Sequence, residues 1–104
     1  MRVMREESLG PVVWIMPVDT DEQTAMLMND SRYGLTASIW TSAAAAAERL
    51  GPRIEAGTIF MIRCDYVDPA LVWTGVKESG CGASLGSYGF DAVTHPRSYH
   101  FREL

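Results

Sequence analysis

The sequence predicts an α/β fold, a small parallel sheet with crossover helices. Three apolar runs rich in β-branched residues lie at 12–18, 35–41 and 58–62. Segments with helical signals separate them, each about a dozen residues long, which is the length a crossover between parallel strands requires. At 104 residues the chain has room for one small domain.

Each element has a local reason. "VVWIMPV" (12–18) follows "LGP" and reads as a short buried strand with Pro17 near its end. Thr20, followed three residues later by Gln23, forms a capping-box pattern. Asp21 and Glu22 then fall in the first turn, where the helix dipole favours negative charge, so a helix is predicted over 21–29. "NDSRYG" stops it, because Asn29, Asp30 and Ser31 compete for backbone hydrogen bonds and Gly34 tolerates a left-handed conformation. "LTASIWT" (35–41) reads as a second strand, after which Thr41 or Ser42 is expected to cap a helix driven by Ala43 to Ala47. Ala43, Ala47, Leu50 and Ile54 give that helix one apolar face, and Gly51-Pro52 predicts a break near residue 51. Gly57 ends the segment, and "TIFMI" (58–62) is the clearest strand. From Arg63 onward Pro69 and the glycines at 75, 80, 82, 86 and 89 predict a long ordered loop, with a short helix over 83–88. The tail "RSYHFREL" reads as one last extended strand that must find a partner.

Composition narrows the function classes. Hydrophobic residues make up 47% and charged residues 21%, with a formal net charge of -4. An acidic chain with scattered arginines offers no field for a phosphate backbone, which argues against a nucleic-acid partner. The same sign disfavours anionic membrane surfaces, and the apolar runs are far too short to span a bilayer. The first residues lack the apolar core and small-residue cleavage site of a signal peptide, so a cytoplasmic location is expected. Cys64 and Cys81 have no CxxC spacing, which indicates neither a disulfide framework nor a zinc site.

Few side chains stand out as chemistry. Glu6-Glu7 reads as a solvated charge pair, or as carboxylates that accept hydrogen bonds from a hydroxylated ligand such as a ribose. Either cysteine could serve as a nucleophile, but no base lies beside either in sequence. His95 and His100 straddle Pro96 and cannot form a helical metal pair. "GVKESGCG" matches neither GxGxxG nor GxxxxGK[ST]. Trp73, in a glycine-flanked loop, is either a lid over a small core or the wall of an apolar pocket.

Taken together, several segments resemble the aldehyde dehydrogenase family. "EESLGPV" resembles its E-x-F-G-P-V segment. "NDSRYGLTASIWTS", "RIEAGTIFMIRCD", "WTGVKESGCG" and "YGFDAVTHPRSYH" resemble the segments that follow it, in the same order, to the family's C-terminus. The resemblance implies the last fifth or so of a member: residues 1–95 as part of the catalytic domain and residues 96–104 as the terminal oligomerisation strand.

In that family NAD or NADP binds a Rossmann-like domain, and a cysteine attacks the aldehyde. Hydride then passes to the nicotinamide, and a glutamate-activated water releases the acid. The resemblance places the nucleophile, the general base and the dinucleotide fold upstream of these residues, and neither Cys64 nor Cys81 matches the nucleophile. It therefore implies no catalytic residue here, no metal, and no cofactor bound by the isolated chain. It implies that Glu7 hydrogen-bonds the nicotinamide-side ribose, and that Leu9 stands where a phenylalanine packs near the nicotinamide ring. Trp73 matches an aromatic position at the substrate entrance. Ile62 replaces a common asparagine and loses its amide hydrogen bonds. The partners implied are a second copy, met through the terminal strand or the exposed sheet, and the upstream part of the enzyme. The alternative function is a self-associating structural or interaction module.

Overall fold

The computed structural model describes residues 6–64 and 66–104. Helices and short strands alternate as α1 (Asp21–Asn29), β1 (Tyr33–Gly34), β2 (Thr36–Ile39), α2 (Ala44–Leu50), β3 (Thr58–Met61), β4 (Trp73–Thr74), β5 (Val76–Lys77), β6 (Ala83–Ser84) and α3 (Gly86–Val93). The first five residues of the expected 1–95 unit lie outside the described residues.

Helix α1 begins and ends where its signals predict. Thr20 is extended, and its Oγ1 accepts the Gln23 N–H at 3.1 Å. The Gln23 side chain reaches back and accepts the Asp19 N–H at 2.8 Å, so two amides at the helix entrance are satisfied. Ala25 is the buried residue of this helix.

The unit β2-α2-β3 is the centre of the fold. β2 and β3 pair in parallel, with Thr36 opposite Thr58 and Ile39 opposite Met61. Flanking bonds from Thr58 N–H to the Leu35 carbonyl and from Ile62 N–H to the Ile39 carbonyl, both 3.1 Å, extend the ladder. Helix α2 starts at Ala44, one residue later than a cap at Ser42 predicts and two later than a cap at Thr41 predicts. Ala43 is its cap residue and makes no side-chain capping bond, while Thr41 Oγ1 accepts the Ala43 N–H at 3.1 Å. At Gly51-Pro52 the α-helix gives way to a 3-10 turn over Gly51–Arg53, the break that the proline's missing donor demands. Leu50 and Ile54 then point into one small core with Ala25 and Ala37, flanked by Ile39 and Ala56.

Three expectations need correction. Residues 12–18 form no strand: they run without a ladder partner, and Val13 and Ile15 are 82% and 88% exposed. A strand exists only where a neighbour accepts its backbone bonds, and no described segment supplies one. The three-stranded parallel sheet therefore reduces to the β2-β3 pair. Second, the region after Arg63 is not all loop. β1 pairs antiparallel with β5, and β4 pairs antiparallel with β6, so the pairing is mixed rather than purely parallel. Third, the last helix covers Gly86–Val93 rather than 83–88, because Ala83 and Ser84 are held in the ladder with Thr74 and Trp73.

These small ladders reach the centre through close backbone approaches. A Cβ on Gly57 would overlap the Thr74 carbonyl, and one on Gly34 would overlap the Glu55 carbonyl, so glycine is required at both crossings. Polar bonds finish the junction. The Asn29 amide donates to the Arg53 carbonyl and accepts the Glu55 N–H, each at 2.8 Å. Lys77 Nζ donates to the Asn29 and Ser31 carbonyls at 2.8 and 3.1 Å and pairs with the Glu55 carboxylate at 2.7 Å. Ion pairs Arg49–Asp21 and Arg53–Glu22, both 2.9 Å, tie α2 and its 3-10 extension to α1 from outside. Exposed pairs of this kind contribute little each.

The chain has far more surface than its core can cover. Its accessible area is 8758 Å², against about 5,800 Å² for a compact monomer of this mass. Its radius of gyration is 18.9 Å, against about 13 Å for a compact chain of this length. The tail expected as a last strand forms none in this chain, because no described segment accepts its backbone bonds; residues 96–104 are exposed, with the Tyr99 and Phe101 rings stacked at 5.8 Å on each other. Among the described residues no helix is long and apolar enough to cross a membrane.

Two predictions follow from the backbone. Ile62 sits at φ 55, in the left-handed region where a β-branched side chain is strained and asparagine is tolerated. Ile62→Asn is expected to stabilise the chain by about 1 kcal/mol, read as a higher urea midpoint; a lower midpoint contradicts this. Asn29→Ala removes both cross-chain bonds and is expected to cost about 1–2 kcal/mol in the same titration; an unchanged midpoint would show that the junction does not depend on them.

Candidate functional site

Two adjoining grooves hold Glu7 and Trp73, two of the residues that the sequence singles out. Glu7 and Glu6 line one of about 430 Å³ together with Ser31, Tyr33 and Gly34. Trp73 lines the other, about 420 Å³, with the Gly80-to-Ala83 turn that carries Cys81. Leu35 and Ser79 belong to both, so the carboxylate side and the indole side share one boundary.

The floor between them is built from the turn after α1 and the turn after β5. Gly34 donates its N–H to Ser79 Oγ at 2.9 Å, and Glu78 donates its backbone N–H to the Arg32 carbonyl at 2.9 Å. Arg32 closes the pair with a forked ion pair to Glu78, Nε to Oε1 at 2.8 Å and a terminal nitrogen to Oε2 at 2.6 Å. The Glu78 carboxylate raises the Arg32 pKa above its ordinary value, chiefly through this hydrogen bond and then through charge. Lys77, at φ 55, turns the backbone so that its ammonium reaches back under the first groove to the end of α1.

The sequence-predicted residues sit unevenly on this frame. Glu7 lines the more polar groove together with Ser31, Tyr33 and Ser79. Leu9 is 94% exposed. Trp73 is half-buried, with one flank on the second groove and the other on a smaller cavity formed with Thr58, Phe60 and Tyr66. It therefore walls a pocket rather than covering the core, which is made by other residues. Cys64 and Cys81 are both exposed. The groove that Cys81 lines contains no histidine, lysine or carboxylate to act as its base. His95 and His100 are exposed, and among the described residues no three histidine, cysteine, aspartate or glutamate side chains cluster to hold a metal ion.

Sequence reasoning missed Ser31, Tyr33 and Ser79 around Glu7, and Phe60 and Tyr66 around Trp73. The first group is brought together by pairing across more than forty residues, as in the Gly34-to-Ser79 bond, and leaves no local pattern. Phe60 did leave one: it alternates with Thr58 on one side of β3, away from Ile59 and Met61.

The α/β scaffold thus places a carboxylate-lined groove beside a groove walled by Trp73. The family model described as the aldehyde dehydrogenase family matches residues 1–99. The chain belongs to the aldehyde dehydrogenase family. Phenylacetaldehyde dehydrogenase of Pseudomonas fluorescens is 37% identical over 94% of this chain and 20% of its own length. The NADP/NAD-dependent aldehyde dehydrogenase PuuC of Escherichia coli (strain K12) is 34% identical over 86% of this chain and 18% of its own length. Among solved structures, betaine aldehyde dehydrogenase from Staphylococcus aureus in complex with NAD+ superposes with a TM-score of 0.83 at 32% identity, over 88% of this chain and 18% of that one. An NAD-dependent aldehyde dehydrogenase from Sinorhizobium meliloti gives 0.80 at 36% identity, over 85% of this chain and 18% of that one. The chain thus spans about a fifth of the length of the relatives it matches.

Proposed function

We propose that this chain is the C-terminal part of an NAD(P)-dependent aldehyde dehydrogenase that oxidises an aldehyde to a carboxylic acid, and that it is inactive alone. The observation that carries the reading is the pair of adjoining grooves, one presenting Glu7 and the other Trp73. The order of the matched segments, from "EESLGPV" to "YGFDAVTHPRSYH", supports the C-terminal position. Residues 1–95 then belong to the catalytic domain, and residues 96–104 are the strand through which copies meet.

The residues present suit the cofactor's nicotinamide end. A carboxylate is an acceptor only, and the ribose hydroxyls are donors; Glu7, in a groove with Ser31 and Tyr33, offers such an acceptor to them. Leu9 supplies apolar contact beside the ring, with less area than an aromatic would give. A nicotinamide held there would supply the acceptor for the substrate's hydride. The chain's own work is positional: Glu7 orients the ribose, the Arg32–Glu78 fork holds the groove floor, and Trp73 shapes the substrate side and helps exclude water. The nucleophile and the general base come from the upstream part of the protein. Two of the relatives are named for NAD or NADP, which favours these as oxidant, and the relatives' names leave the aldehyde open.

A second reading has its own observation. An accessible area of 8758 Å², with residues 12–18 and 96–104 unpaired, favours self-association of the isolated chain as a structural module.

The functional test compares two preparations. The isolated chain is expected to reduce neither NAD nor NADP with a panel of small aldehydes, and turnover by it would overturn the proposal. Joined to the upstream part, it is expected to turn over, and Glu7→Ala there should lower kcat/KM about 10- to 100-fold, the loss of a charged hydrogen bond worth about 1.5–3 kcal/mol. An unchanged kcat/KM would remove Glu7 from the cofactor site.

A further inference from the structure

The outer edge of β3 lacks a neighbour. β2 and β3 make a two-stranded sheet, in which the Thr58 and Ile62 N–H groups turn to the Leu35 and Ile39 carbonyls. Along a parallel strand every second residue bonds to the same neighbour, so the N–H and carbonyl groups of Ile59 and Met61 point the other way. Among the described residues no strand lies on that side. A groove of about 620 Å³ is lined there by Ile59, Phe60 and Met61 from β3 and by Ala44, Ala47 and Gly51 from α2 and its 3-10 extension. Consecutive strand residues alternate in side, so a groove touching all three takes in the edge as well as one face. Glu48 is the one charged residue on its border.

Residues 12–16 have the complementary deficiency. They carry strand composition and no charge, and Pro11 and Pro17 bound them. Their span at strand rise is about 17 Å, enough to lie along the whole of β3. The Val12 N–H bonds the Gly10 carbonyl at 2.8 Å, while residues 13–16 make no backbone bond among the described residues. Val13 and Ile15, which share one side of an extended segment, are the two most exposed of the five. One copy of the chain leaves both halves unpaired. The surface for a second copy is sufficient: a standard dimer buries about 800 Å² per partner, and this chain exposes about 3,000 Å² more than a compact monomer of its mass.

We propose that in the isolated chain residues 12–16 of a second copy add as a strand to the outer edge of β3, with Val13 and Ile15 seated in the groove against Ile59 and Met61. Made in both directions about a two-fold axis, the exchange closes a dimer and pairs both halves of each copy. The proposal rests on the self-association reading above, and it names a contact separate from residues 96–104.

The test uses the purified 104-residue chain, with mass by light scattering and amide hydrogen exchange followed across a dilution series. In the assembly, amides within 13–16 and those of Ile59 and Met61 are expected to be protected, and to lose that protection together on dilution to monomer. Contacts between an isotope-labelled and an unlabelled copy, read as intermolecular NOEs, should join Val13 and Ile15 to Ile59 and Met61. Val13→Lys with Ile15→Lys replaces side chains that the single chain leaves in solvent, so the fold should persist. The pair is expected to raise the dimer Kd about 100-fold, at about tenfold for each apolar side chain no longer buried. An assembly in which residues 13–16 exchange as freely as in the monomer, or one that the double substitution leaves unchanged, would overturn this proposal while self-association stood. A chain that is monomeric at every concentration would overturn both. Exchange and mass are read on the unmodified chain, so they decide the matter even if the variant fails to fold.

Discussion

The junction that the rest of the structure depends on is the polar bridge between Asn29, Glu55 and Lys77. Asn29 ends α1, Glu55 lies between the 3-10 turn and β3, and Lys77 ends β5. The Asn29 amide satisfies one carbonyl and one N–H of the α2-β3 connection, and the Lys77 ammonium gathers two carbonyls and a carboxylate. Among the described residues four apolar side chains make up the buried core, too few to orient five connected segments by packing alone. Directional bonds do that work. They are partly exposed, so each is worth about 1 kcal/mol, and their importance lies in number and direction rather than in depth.

The site inherits its geometry from that junction. With α1 held to the β3 entrance, the turn carrying Ser31 and Tyr33 faces the turn carrying Ser79, and the Arg32–Glu78 fork locks the two together. Glu7 can then present a carboxylate to a groove whose walls belong to the rigid part of the fold. Trp73 is placed by a different route, through the β4-β6 ladder and the contact of Gly57 with the Thr74 carbonyl. Two independent supports thus bring a carboxylate and an indole to adjoining grooves.

Much of this was legible in the sequence where the signal is local. Thr20 and Gln23 marked the start of α1, Gly51-Pro52 marked the end of α2, and the β-branched run at 58–62 marked β3, because capping, proline sterics and side-chain shape act within a few residues. Residues 12–18 carried the composition of a strand and did not become one, since pairing requires a neighbour that composition cannot supply. The short β1-β5 and β4-β6 ladders went unread for a related reason: two-residue strands have no periodicity. Glu7 and Trp73 gained functional meaning from the resemblance, not from their spacing. The groove around them was invisible beforehand, because Gly34 and Ser79 meet across forty-five residues.

What remains is the imbalance between core and surface. Val13, Ile15 and Phe101 are almost fully exposed, and the chain carries about 3,000 Å² more surface than a compact monomer of its mass. An excess of that size with large apolar side chains exposed favours association with another protein surface. The most direct test is the mass of the purified chain in solution at micromolar concentration, by size exclusion with light scattering. The account predicts a dimer or larger assembly, unaffected by NAD. A stable monomer would contradict it, because the small core would then suffice and the exposed strand-like segments would need no partner.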